Sequence, residues 1–63
     1  MAPVETNTRK IIQRLNAEGW VDLGGAKHEK FAHPDRSERV IVPRHRTQTM
    51  GVARVIATAA GWI

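Results

Sequence analysis

Gly24-Gly25-Ala26-Lys27-His28-Glu29-Lys30-Phe31-Ala32-His33-Pro34 is the stretch on which the fold of this chain turns. Two glycines in front of it mark a reversal, and His33-Pro34 behind it marks a turn. Between them stands one large apolar side chain, Phe31, among His28, Glu29 and Lys30. Side chains of a strand alternate faces. With Phe31 directed at a core, His28 and Lys30 point the opposite way, into solvent. The segment from about Lys27 to Ala32 therefore reads as a strand in a sheet with one covered face and one open face.

Working outward, Trp20-Val21-Asp22-Leu23 reads as a short strand ended by Gly24-Gly25. Before it, Thr8, Ile11, Ile12 and Leu15 recur at helical spacing, with Arg9, Lys10, Gln13 and Arg14 on the solvated side. Thr6, Asn7 or Thr8 can cap this helix, and Gly19 suits the left-handed residue that follows it. The helix is expected over Thr8 to Glu18. Residues 1–6, with Pro3, read as a loose lead-in. On the other side, His33-Pro34-Asp35-Arg36-Ser37 forms a turn. Arg39-Val40-Ile41-Val42 is a β-branched strand stopped by Pro43. After the basic connection Arg44–Thr49, an apolar stripe of Val52, Val55, Ile56, Ala59 and Ala60 makes a second helix. Arg54 and Thr58 lie outside the stripe. Gly61 closes the helix, and Trp62 and Ile63 can return to the core.

Links this short between strands allow only an antiparallel meander. The expected fold is α+β in the order α-β-β-β-α, a three-stranded antiparallel sheet with two helices on one face. The 63 residues are read as one domain, 1–63. A chain of this size buries about 60% of its extended surface, and its net stability is about 3 to 5 kcal/mol.

The chain has ten Lys and Arg against six Asp and Glu, for a formal net charge of +4. Through Ala26, Arg9, Lys10 and Arg14 balance Glu5, Glu18 and Asp22. From Lys27 onward, seven basic residues face only Glu29, Asp35 and Glu38, so this part carries the whole excess. Such a field suits nucleic acid, an acidic protein or an anionic membrane surface. There is no cysteine, which removes disulfides and thiolate metal sites. No apolar run reaches the roughly 20 residues of a membrane span, and no hydrophobic leader is evident. A soluble cytoplasmic protein without membrane partners is expected.

Three histidines carry the candidate chemistry. His28 lies between Lys27 and Lys30, cations able to hold a phosphate beside an imidazole that moves protons near neutral pH. That grouping suits RNA cleavage without a metal. A base takes the 2′-hydroxyl proton, cations steady the phosphoryl oxygens and an acid protonates the leaving 5′-oxygen. His45, within Arg44-His45-Arg46, is the candidate acid, and Arg44 and Arg46 can bond phosphate. His33, before Pro34, reads as a turn or packing residue. Histidines at 28, 33 and 45 match no compact ligand spacing, so neither metal nor other cofactor is expected. Trp20 and Phe31 read as core.

Together these residues carry a family likeness. The chain resembles the HicA family of small RNase toxins from type II toxin–antitoxin pairs. The resemblance runs from about Thr8 to Ile63. Its marks are Leu15-Asn16-Ala17-Glu18-Gly19-Trp20, Gly25-Ala26-Lys27-His28-Glu29-Lys30-Phe31, His33-Pro34, Val40-Ile41-Val42-Pro43-Arg44-His45 and the last helix ending Ala59-Ala60-Gly61. It implies a fold like that of double-stranded-RNA-binding domains and a metal-independent mRNA interferase neutralised by a HicB-type antitoxin. It places the family's catalytic histidine, from a Gly-Ser-His-x-x-aromatic pattern, on His28. Ala26-Lys27 stands where the family has the glycine and serine. The phosphate contacts expected are Lys27, Lys30, Arg44 and Arg46. The alternative is a non-catalytic RNA-binding module of the double-stranded-RNA type, which reads shape and 2′-hydroxyls through longer elements. A helix-turn-helix DNA-binding protein does not fit, because three strands separate the helices.

Overall fold

The computed structural model describes residues 4–63; Pro3 and the rest of the expected lead-in before residue 4 lie outside the described residues. The elements run α1 (Thr8–Ala17), β1 (Val21–Gly24), β2 (His28–His33), β3 (Arg36–Pro43) and α2 (Met50–Ala60). The order is the expected α-β-β-β-α, an α+β fold whose sheet is antiparallel in the order β1-β2-β3.

Among the three capping candidates, Asn7 does the work. Its backbone is extended, and its side-chain oxygen accepts the Lys10 amide at 3.1 Å. The helix buries Ile11 and Leu15 and stops one residue short of the expected Glu18, which is the C-cap residue. Trp20 is buried just ahead of β1 rather than inside it. Its ring meets His33 edge-on, with centroids 5.2 Å apart. His33 Nδ1 accepts the Asp35 amide at 3.0 Å, which leaves Nε2 as the protonated nitrogen, donating to the Glu18 carbonyl at 2.9 Å. His33 is thus a turn and packing residue, tying the hairpin to the end of α1.

The hairpin turn is tighter than the five residues expected. His33 pairs with Arg36, leaving only Pro34-Asp35 between the strands. Two-residue turns that match strand twist need positive φ, and among the described residues only glycines have it. The mismatch is absorbed next to the turn. The pairing shifts between Phe31 and His33, so that residues 37–39 of β3 stand against Ala32 alone. Beyond this bulge Phe31 faces Val40, Lys30 faces Ile41, Glu29 faces Val42 and His28 faces Pro43.

That register puts Phe31, Val40 and Val42 on one face, all fully buried. They form a single core with Ile11 and Leu15 of α1 and Ile56 and Ala60 of α2, so both helices cover this face. The stripe of α2 differs from the expected one. Ala53, Ile56, Ala57 and Ala60 are buried, Val52 and Ala59 are half-buried, and Val55 is 68% exposed. A buried stripe centred on Ala53, Ile56, Ala57 and Ala60 leaves Val55 on the outer side of the helix. At the C-terminus the Trp62 indole N–H donates to the Glu18 carboxylate at 2.6 Å, while Arg14 sits 4.3 Å from the centre of the Trp62 ring. No helix among the described residues is long and apolar enough to cross a membrane.

Candidate nucleic-acid interface

The β1–β2 loop fixes where His28 begins its strand. Gly25 has φ +150°, and a Cβ at that position would collide with the His28 carbonyl. Only glycine lets the chain pass so close to this carbonyl. From there strand alternation takes over. His28 and Lys30 are exposed on the uncovered face of the central strand, and Lys27 is exposed in the bend before it.

The same face carries Val21 opposite Ala32, Leu23 two residues on, and Ile41 opposite Lys30. Val21, Leu23 and Ile41 are 57%, 56% and 40% exposed. Arg39, two residues before Ile41 on β3, adds an exposed cation. The result is an apolar sheet surface studded with positive charge.

Arg44 is placed differently from the other expected phosphate contacts. Its guanidinium lies 3.2 Å from the Glu29 carboxylate and donates to the Gly25 carbonyl at 2.5 Å. It therefore braces the β1–β2 loop against the end of β3. Glu29 also meets Asp22, and this shared hydrogen bond is the main reason that its carboxyl titrates above the usual range. Lys27, Lys30, Arg39, Arg46 and Arg9 have no ion pair among the described residues, where the two salt bridges are those of Arg14 and Arg44.

The segment after β3 is held firmly against the start of α1. The Thr8 amide donates to the Arg46 carbonyl at 3.1 Å and its hydroxyl to the His45 carbonyl, while the Gln48 amide donates to the Thr6 carbonyl at 2.8 Å. The Gln48 side chain is buried and donates to both Thr8 Oγ1 and the Pro43 carbonyl at 2.8 Å. His45 consequently lines a cleft beside α1, and no hydrogen bond or ring contact joins it to His28 among the described residues. Opposed strand residues such as His28 and Pro43 have Cα atoms about 5 Å apart, and two further residues add at most about 7 Å. The backbones that carry the two histidines therefore lie within about 12 Å of one another.

Arg39 and Arg9 are not among the phosphate contacts that the sequence suggests. Alternation through β3 would have put Arg39 beside Ile41 on the open face, whereas Arg9 gives no signal until α1 and the segment after β3 are brought together. A scan against protein-family models matches none, and a search of curated proteins returns no match.

Proposed function

We propose that this chain is a metal-independent endoribonuclease toxin of the HicA kind, cleaving mRNA and neutralised by an acidic HicB-type antitoxin. One observation carries the reading. His28 is exposed on the central strand of the open sheet face, with Lys27 and Lys30 beside it and, among the described residues, no carboxylate paired to either lysine. A histidine serving only the fold would resemble His33, whose two ring nitrogens are both engaged.

In this mechanism the His28 imidazole takes the proton of a ribose 2′-hydroxyl. The freed oxygen attacks the adjacent phosphorus, and the bond from phosphorus to the 5′-oxygen breaks. Lys27 and Lys30 hold the non-bridging oxygens as negative charge builds on them. His28 then returns the proton to the departing 5′-oxygen, acting in both roles; His45 remains the candidate acid only for a phosphate that lies between His28 and the cleft beside α1. The products are a 2′,3′-cyclic phosphate and a free 5′-hydroxyl. The exposed apolar residues of the same face, framed by cations, suit an acidic partner that covers His28.

The test is incubation of the protein and its His28→Ala form with a defined RNA in EDTA, followed by analysis of the product ends. General acid–base groups contribute about 100- to 10,000-fold, and a loss of that size is expected on removing His28. Cyclic phosphate ends from the wild type alone support the assignment. Equal cleavage by both forms removes it, and tight binding without cleavage favours the RNA-binding module.

A further inference from the structure

We infer that the cleft between the start of α1 and the segment after β3 holds a second phosphate of the same RNA strand. This rests on the reading above and extends it. The cleft has a volume of about 570 Å³ and is lined by Asn7, Thr8, Arg9, Ile12, His45 and Arg46. Two segments far apart in sequence thus bring two guanidinium groups and an imidazole to one concavity. No carboxylate lines it, and neither Arg9 nor Arg46 has an ion-pair partner among the described residues. Glu5, the acid nearest in sequence, has its carboxylate on the Asn7 amide at 3.0 Å.

The walls are preformed, because Thr8 bonds to the backbone of His45 and Arg46 and Gln48 locks Thr8 to Pro43. Two of the backbone amides at the start of α1 are already engaged. The Thr8 amide is on the Arg46 carbonyl and the Lys10 amide on Asn7 Oδ1. Recognition therefore falls to the side-chain cations, whose guanidinium forks match phosphate oxygens. Ile12 offers an apolar wall to the attached sugar or base. Pro43, opposite His28 in the register, leads directly into this segment, so a strand crossing His28 reaches the cleft within a few nucleotides.

The experiment measures binding of a short single-stranded 2′-O-methyl RNA, which lacks the attacking hydroxyl, to the wild type and to Arg9→Gln, Arg46→Gln and Lys10→Gln. Lys10→Gln makes the same charge change one residue away, outside the cleft. Arg9 is exposed and glutamine keeps its helix propensity, so the fold is retained. Arg9→Gln is expected to weaken binding roughly tenfold and to flatten the salt slope by about 0.7. Arg46→Gln should behave alike, and Lys10→Gln should change affinity less than about twofold. Equal small effects of Arg9→Gln and Lys10→Gln overturn the inference. Cleavage that depends on His28, with binding indifferent to Arg9 and Arg46, leaves the nuclease reading standing and removes the cleft. Arg9-dependent binding to a protein that cleaves no RNA does the reverse. Absence of RNA binding by the wild type removes both.

Discussion

Glu18 and Glu29 show how two carboxylates on one small surface are set in opposite directions by what they touch. The Trp62 indole holds the Glu18 carboxyl below its ordinary value, with Arg14 adding to the effect. A lowered folded pKa contributes stability that is whole above the unfolded value near 4.5 and lost as pH falls through the folded one. Trp62→Phe keeps the ring under Arg14 and removes the donor. Thermal melts across the acid range should then lose part of the fall in stability below pH 4.5, by less than about 1 kcal/mol for so exposed a group; an unchanged acid limb would exclude the indole as the cause. Glu29 has the reverse sign. Its raised folded pKa favours the protonated form, so its contribution is present below 4.5 and lost as pH rises through the folded value. Asp22→Asn retains an oxygen for the Gly24 amide, now accepted at 2.7 Å, and removes the competing acid. An NMR titration of the Glu29 carboxyl should show its midpoint falling. At this scale alternation revealed His28, Lys30 and Phe31 in the sequence, because a period of two needs no partner to be read. The grip of Glu29 on Arg44 was hidden, since it joins residues 15 positions apart across a register that the sequence does not print.

Among the elements, the segment from Arg44 to Thr49 departs furthest from its appearance in sequence. Read alone it is a basic polar connection, yet it pairs with the start of α1 through the Asn7–Thr47 bridge and buries Gln48. A polar side chain becomes a core residue only when its donors are met, and here the two acceptors come from Thr8 and Pro43, on either side of it. No periodicity announces such a clamp. Gln48→Ala leaves the Pro43 carbonyl and the Thr8 hydroxyl without this donor, at a cost of about 1 to 3 kcal/mol. Urea denaturation should register that loss as a lower midpoint at unchanged slope. A midpoint equal to wild type would mean that water replaces the amide without penalty. The elements with strong local signals were legible: Asn7 and Gly19 bracket α1, and Val40 and Val42 identify β3. Val55 is exposed where the sequence suggests burial, because its spacing with Ile56 and Ala59 fits a helical stripe as well as that of Ala53 does. Which side of α2 is buried decides between them, and that choice is tertiary.

For the molecule as a whole, the division of charge along the chain becomes a division in space. The helices close one side of the sheet, while Lys27, Lys30 and Arg39 gather on or beside the open side, and Arg9 and Arg46 meet at the end where β3 leaves it. The excess of basic residues after Ala26 was plain in the sequence; that Arg9, from the balanced half, joins them was not. This arrangement makes a quantitative demand on RNA binding. If Lys27, Lys30, Arg46 and Arg9 each neutralise one phosphate, four contacts on a single strand give a slope of about −2.8 in log K against log salt. Affinity should then fall about 50-fold between 50 and 200 mM salt. Pairing with Glu29 should keep Arg44 out of that count, so Arg44→Gln should change the slope less than Lys30→Gln does. A slope near zero would mean that apolar contact of the bases with Val21, Leu23 and Ile41, rather than phosphate, holds the strand. A slope restored to steepness only when Arg44 is present would place its guanidinium on RNA and require Glu29 to release it on binding.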